Sequence, residues 1–79
     1  MTYEELNYIV TLMREEADRR RAAFEEVRKP ANDLHDGYIT PDEIGMSLEE
    51  LDREYEKRRE RLSQAEAYIS LFLSYDWHN

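Results

Sequence analysis

Apolar residues in the second half of the chain recur at alternating steps of three and four positions, which places them on one side of a helix. The stripe consists of Leu48, Leu51, Tyr55, Leu62, Ala65, Ile69 and Phe72, with Arg58 at the remaining position. The residues between them are mostly charged over the first half of this segment, so this stripe is the face that a helix would bury. The pattern predicts a helix over about 47–75, followed by an aromatic tail at 76–79, and this helix needs a second one to cover its stripe.

The first half of the chain carries a matching stripe. It consists of Tyr3, Leu6, Val10, Met13, Ala17, Arg20, Phe24 and Val27. Thr2 and Glu5 have the spacing of a capping box, in which two side chains satisfy free backbone donors at the start of a helix. Pro30 is expected to end the helix, because proline disfavours the helical conformation in the residue before it. These signals predict a helix over about 2–29.

Residues 30–46 are predicted to form a connector between the helices. The Asp-Gly pair at 36–37 is a turn signal, because glycine tolerates a positive φ. The sequence Thr-Pro-Asp-Glu at 40–43 is a second capping box with proline at the first helical position, which predicts a short helical turn near 41–45. A third box, Ser-Leu-Glu-Glu at 47–50, opens the second long helix.

Two helices with matching stripes and a connector between them predict an all-α fold, namely an antiparallel two-helix hairpin of the coiled-coil type. Placing Val27 beside Leu48 brings Phe24 opposite Leu51 and aligns the rest of the two stripes. The two arginines in the stripes can cover apolar surface with their stems while their charged heads reach water. They need no functional role.

The open end of this hairpin, where both termini lie, carries more apolar residues than the two stripes can cover. Ile9 and Leu12 fall on the same flank as Tyr68, Leu71 and Tyr75, so together they form a second apolar face. Large exposed apolar patches usually mark interfaces, and Tyr and Trp are frequent binding anchors. The candidate interface residues are therefore Ile9, Leu12, Met13, Tyr68, Leu71, Phe72, Tyr75 and Trp77.

Two uses of this face remain open from the sequence. It can close a homodimer and so complete a four-helix bundle, since two-fold dimers are the commonest assembly. It can also bind a different protein, either as a single hairpin or after dimerisation.

Negative charge is concentrated in the connector. The net charge is −8, and the segment from Pro30 to Glu50 holds six acidic residues without any Lys or Arg. From Arg14 to Lys29, by contrast, six basic residues accompany five acidic ones. Acids precede bases by four positions on the helices, a spacing that favours surface ion pairs, at Glu15–Arg19, Glu16–Arg20, Glu25–Lys29, Glu49–Arg53 and Glu54–Arg58. The helices are thus charge-balanced and the connector is acidic.

Length and composition limit the class of protein. A chain of 79 residues makes one small domain with a marginal core, which favours self-association. It has no cysteine, no apolar run near the roughly 20 residues that cross a bilayer, and no signal-peptide pattern at its start. We therefore expect a soluble cytoplasmic protein without a membrane partner.

The connector also resembles part of a calcium-binding loop. The run from Asp36 to Ile44 is similar to the second half of an EF-hand loop, in which a carboxylate, a glycine and a final glutamate occur at set positions. Counted over 32–43, the candidate ligands are Asn32, Asp36, Tyr38 and Glu43. The resemblance implies a degenerate single calcium-binding hairpin, although Leu34 supplies no oxygen at the third position. The alternative reading of these residues is a turn followed by a helix cap.

Other chemistry is weakly indicated. The chain has only two glycines and two histidines, and we expect neither a catalytic site nor a cofactor. Basic runs at 19–21 and 57–59 are interleaved with acids, which cancels the field that a phosphate backbone needs, so we expect no direct contact with nucleic acid. An acidic imitation of DNA that inhibits a nucleic-acid-binding protein is a further alternative. The leading hypothesis is a non-catalytic adaptor or inhibitor that binds a partner protein through its aromatic open end or acidic connector.

Overall fold

A computed structural model describes residues 1–75 of the chain. It contains two long helices, α1 (Tyr3–His35) and α3 (Leu48–Ser74), and a single helical turn between them, α2 (Pro41–Ile44). The long helices pack side by side in opposite directions, which gives a rod of 57 × 16 × 15 Å. The all-α class is confirmed, and the described residues include no strand.

The hydroxyl caps of two of the three predicted capping boxes form at helix starts. The Thr2 hydroxyl accepts a hydrogen bond from the Glu5 backbone N–H at 3.1 Å, and the Ser47 hydroxyl accepts one from Glu50 at 3.2 Å. Thr40 also stands at a helix start with extended backbone, but its side chain makes no capping bond. Its carbonyl oxygen accepts from the Glu43 N–H at 3.1 Å instead.

One glycine lies just after α1, and another lies just after α2. Gly45 follows α2 with a φ of 76°, and Gly37 lies just after α1 with a φ of 80°. Both values lie in the left-handed region that glycine adopts without steric cost. The predicted turn at 36–37 and the end of the short helical turn are confirmed at these positions.

The prediction that Pro30 ends the first helix is wrong, because α1 continues through it to His35. Proline inside a helix removes one backbone hydrogen bond and costs about 3 kcal/mol. The turns beyond it compensate by burial: Ala31 is buried against Val27 and Leu51, and Leu34 packs on the same cluster. A sequence signal for this extension exists, since Ala31 and Leu34 continue the three-four spacing of the stripe past the proline.

The longer α1 also shifts the register between the helices. Phe24 packs against Tyr55, with ring centroids 5.1 Å apart and ring planes tilted by 50°, rather than facing Leu51. Leu51 packs instead on Val27 and Ala31, about one helical turn nearer to the closed end. The predicted pairing was therefore wrong by about one turn, because the chain reverses direction after residue 35 instead of residue 29.

The stripes themselves form the interface between α1 and α3. Six apolar residues are buried in the described part of the chain: Val10, Ala17, Val27, Ala31, Leu51 and Ala65. Three of the six are alanines, so the contact between the rods is close but contributes little apolar area. Within residues 1–75, neither long helix has a stretch apolar enough to cross a lipid bilayer.

Candidate interaction face at the open end

Large apolar side chains are exposed on one flank of the open end. The exposed fractions are 46% for Leu12, 61% for Tyr68, 66% for Leu71 and 61% for Tyr75, while Ile9 is half-buried. We call this surface the open-end face and define it by these five residues. The exposed residues lie outside the stripes that join α1 to α3, as the helical spacing predicts.

A shallow groove of about 240 Å³ lies at the inner edge of the open-end face, where Leu12 and Tyr68 line it. Leu12 and Met13 form one wall and Tyr68 the other, and the buried methyl group of Ala65 lies between the helices. A small residue at this position leaves a depression that a larger one would fill. The groove brings together residues from both helices that are more than fifty positions apart in the sequence.

The remaining candidate interface residues have other positions. Met13 and Phe72 are half-buried members of the stripes, so the contact between α1 and α3 already uses part of their surface. Trp77 lies outside the described residues. Tyr8, which the candidate set did not include, is 66% exposed and lies next to Ile9 in the sequence.

A second groove, of about 440 Å³, adjoins the first towards the closed end and shares Glu16 and Arg20 with it. We call it the arginine groove. It is lined by Glu16, Arg19, Arg20, Ala23, Glu26, Arg58 and Arg61. Its four arginines outnumber the three carboxylates that lie on them, those of Glu16, Glu26 and Glu54, by one. The open-end face is thus bordered by a positive surface.

Within the arginine groove, Glu16 holds two arginines of its own helix. Its carboxylate lies 2.6 Å from Arg19 and 3.0 Å from Arg20. The hydrogen bond from Arg19, and next the one from Arg20, lowers the pKa of Glu16 below its usual value of 4.5. One carboxylate between two guanidinium groups leaves a net positive charge at this point.

Two arginines in the stripes also bond to the backbone of the opposite helix. Arg20 donates to the carbonyl oxygen of Arg61 at 2.8 Å, and Arg58 donates to that of Ala23 at 2.7 Å. Arg58 is further held by Glu26 at 3.2 Å. These bonds were not predicted, because a stripe position occupied by arginine does not indicate which carbonyl lies across from it.

Of the five predicted ion pairs at four-residue spacing, Glu16–Arg20 and Glu54–Arg58 form in the described part of the chain. Arg28 pairs with Glu25 instead, three residues away, at 2.7 Å. Such exposed pairs contribute little to the stability of the fold, because water and salt screen their attraction. These pairs lie on the surface of the rod and are not the main source of its stability.

The candidate calcium ligands do not lie in a twelve-residue loop. Asn32 belongs to the last turn of α1, and its carbonyl oxygen accepts from the Asp36 N–H at 2.9 Å. Tyr38 donates its N–H to the Asp33 carbonyl at 2.8 Å, which closes the end of the helix. Among the residues that the structure describes, no three His, Cys, Asp or Glu side chains converge on a possible metal position.

At the closed end, His35 links the end of α1 to α3. Its Nε2 lies 2.8 Å from the Asp52 Oδ1. Both side chains, together with Tyr55, line a cavity of about 420 Å³. The side chain of Tyr38 is 77% exposed in the acidic connector. The closed end therefore combines the contact between His35 and Asp52 with the acidic surface of the connector.

Comparison with known proteins adds no relative: no protein family, curated protein or solved structure matches this chain. The surfaces that the molecule offers are an apolar face at its open end, a positive groove beside that face and an acidic connector at its closed end.

Proposed function

We propose that this protein is a non-catalytic protein–protein interaction module that works as a homodimer. In this proposal the open-end faces of two copies pack together and complete a four-helix bundle. The observation that carries it is the exposure of Leu12, Tyr68 and Leu71 side by side on one flank of the rod. Side chains of this kind, grouped on one surface, gain free energy when a partner removes them from water.

The small core of a single hairpin supports the same proposal. The chain exposes 6205 Å², whereas a compact monomer of this mass exposes roughly 5,100 Å². Chains of this length bury a smaller fraction of their surface than larger domains do, and self-association is one of the usual ways in which they gain stability. A second copy supplies the apolar contact that one rod lacks.

The area of the open-end face suits a small specific interface. At about 200 Å² for a large side chain, its four exposed members present about 500 Å² per copy, or roughly 1,000 Å² in a dimer. Polar side chains around the face add to this area. The total reaches the size at which specific interfaces begin.

The adaptor or inhibitor role of the dimer forms part of the proposal. The arginine groove is open, and its arginines pair with glutamates, an arrangement suited to contact with another protein surface. A dimer of this kind acts by occupying or bridging surfaces of other proteins. We place this activity in the cytoplasm, in keeping with a chain that has no cysteine to form disulfides.

Sedimentation equilibrium tests the proposal. The wild-type protein is expected to be a dimer, and Leu71→Glu to be a monomer, because it places two carboxylates within the apolar contact. Ser70→Glu is the matched control, since it adds the same charge to the exposed neighbouring position and leaves the apolar face intact. This control is expected to remain a dimer.

Circular dichroism of the same samples reports whether each variant stays helical. A wild-type protein that remains monomeric at millimolar concentration would contradict the proposal. So would a Leu71→Glu variant that dimerises as tightly as Ser70→Glu.

A further inference from the structure

Two arginines in the arginine groove reach from one helix to the other in opposite directions. Arg20 of α1 donates to the carbonyl oxygen of Arg61 on α3, and Arg58 of α3 donates to that of Ala23 on α1. On each helix the arginine and the accepting carbonyl are three positions apart, so the two bonds lie about 4.5 Å from each other along the rod. These bonds fix the two guanidinium groups on the walls of the groove.

Each of these two arginines keeps an unused donor. The Nε of Arg20 lies 3.0 Å from the Glu16 carboxylate and the Nε of Arg58 lies 3.4 Å from the Glu54 carboxylate, while the Nη1 groups make the bonds between the helices. Neither Nη2 group donates a hydrogen bond within the part of the chain that the structure describes. The two side chains are 32% and 28% exposed, so a ligand in the groove can reach these donors.

Arg61 adds a third guanidinium group to the groove. It lies three positions after Arg58 on α3 and is exposed, and its side chain has no hydrogen-bond or ion-pair partner among residues 1–75. Only its backbone carbonyl takes part in the contact between the helices. A guanidinium group carries five N–H donors in a planar fork that matches a carboxylate. The unused donors, together with the excess of one arginine over the carboxylates, favour an anionic ligand.

The dimensions of the groove fit a segment of another protein. Its volume of about 440 Å³ lies within the range of ligand sites, and its lining residues on α1 extend from Glu16 to Glu26, about 15 Å of helix. Side chains three or four positions apart on an α-helix are separated by about 5–6 Å. This separation is close to the distance along the rod between the bonds that hold Arg20 and Arg58.

We infer that the arginine groove binds an acidic segment of a partner protein in which two carboxylates are one helical turn apart, a role that rests on the proposed function as a protein–protein interaction module. One carboxylate accepts from Arg20 and from Arg61, which is level with it, and the other accepts from Arg58. The net charge of −8 opposes an acidic partner over the rest of the surface, which directs the partner to this groove. No residue of the groove belongs to the open-end face, so the proposed dimer does not depend on these side chains.

Fluorescence anisotropy with two labelled, alanine-rich helical peptides tests the spacing. One peptide carries two glutamates four positions apart, and the other carries them two positions apart, where they do not share a side of the helix. In low-salt buffer the wild-type protein is expected to bind the first peptide about tenfold more tightly, because only this peptide can use both arginines at once. Equal binding of the two peptides, or binding of neither, would overturn the inference.

Arg61→Gln tests the groove itself. This substitution removes the unpartnered guanidinium group but keeps the backbone carbonyl that Arg20 binds, and it is expected to weaken binding of the first peptide about tenfold. Arg59→Gln is the matched control. It removes the same charge from a side chain that is 62% exposed and does not line the groove, and it is expected to change binding by less than about twofold. Equal weakening by the two variants would show that net charge alone acts, contrary to the inference.

A thymidine oligonucleotide is the third probe. If it bound the wild-type protein more tightly than the first peptide and lost this affinity in Arg61→Gln, the groove would be a phosphate site and the assignment to an acidic protein would be wrong. Sedimentation equilibrium of the same samples separates the groove from the proposed dimer. A wild-type dimer that binds neither peptide overturns the groove assignment alone. A wild-type monomer that prefers the first peptide overturns the dimer and supports the groove assignment.

Discussion

Pro30 lies inside α1, and replacing it with alanine should stabilise the protein. Proline in a helix interior is about 3 kcal/mol less favourable than alanine, because it lacks an N–H and its ring contacts the carbonyl four residues back. Alanine restores a donor towards the Glu26 carbonyl. The more flexible unfolded chain offsets about 1 kcal/mol of this gain. The expected net gain for Pro30→Ala is about 2 kcal/mol.

Urea denaturation followed by far-ultraviolet circular dichroism measures this gain, at one fixed protein concentration because the protein is expected to dimerise. A thermal midpoint about 8–16 °C higher is the corresponding shift for a domain of this size. The matched control is Pro41→Ala. Pro41 is the first residue of α2, where proline suits the helix start, so its replacement should lower stability by about 0.4–1 kcal/mol.

The two prolines thus separate two descriptions of α1. If the helix ended before Pro30, both substitutions would remove a favourable restriction of the unfolded chain and both would destabilise. A Pro30→Ala variant that is no more stable than wild type would therefore refute the continuous helix, and with it the shifted register between α1 and α3.

Two further predictions concern packing and pH. Leu51→Ala should lower the free energy of unfolding by about 2–5 kcal/mol, because Leu51 is 2% exposed and packs on Val27 and Ala31. Leu48→Ala is the control, at a position that is 37% exposed, and should lower it much less in the same urea denaturation assay. Equal losses for the two variants would contradict the register between α1 and α3. Because the folded state lowers the pKa of Glu16 below 4.5, its ionised form favours folding. The stability difference between wild type and Glu16→Gln should therefore be present at neutral pH and disappear as the pH falls through the lowered pKa of Glu16. A difference that is the same at neutral pH and below that pKa would mean that the carboxylate charge plays no part.

Local signals account for much of the secondary structure. Thr2 and Ser47 begin helices because their side chains accept from backbone N–H groups three positions away. Gly37 and Gly45 adopt a positive φ because they have no side chain to oppose it. The stripes and the exposed open-end face also follow from spacing alone, since helical geometry determines which residues share a side. No contact with the other helix is needed to predict them.

The end of α1 depended on contacts that local rules do not include. Pro30 is unfavourable in a helix, and the sequence around it reads as a stop. Burial of Ala31 and Leu34 against Leu51 outweighs that cost in the folded hairpin. The extension in turn moved the reversal point of the chain and set the register.

Spacing and local signals are enough to predict which residues are helical over most of the chain, which side of each helix is apolar and where the acidic residues are concentrated. The folded hairpin was needed to show how far α1 extends, that Phe24 contacts Tyr55, and that Arg20 and Arg58 donate to carbonyls of the opposite helix. The two groups of features differ in the range of the interactions that produce them. Caps and stripes depend on neighbours within a few residues, whereas register depends on the total burial of two surfaces that the chain brings together only on folding.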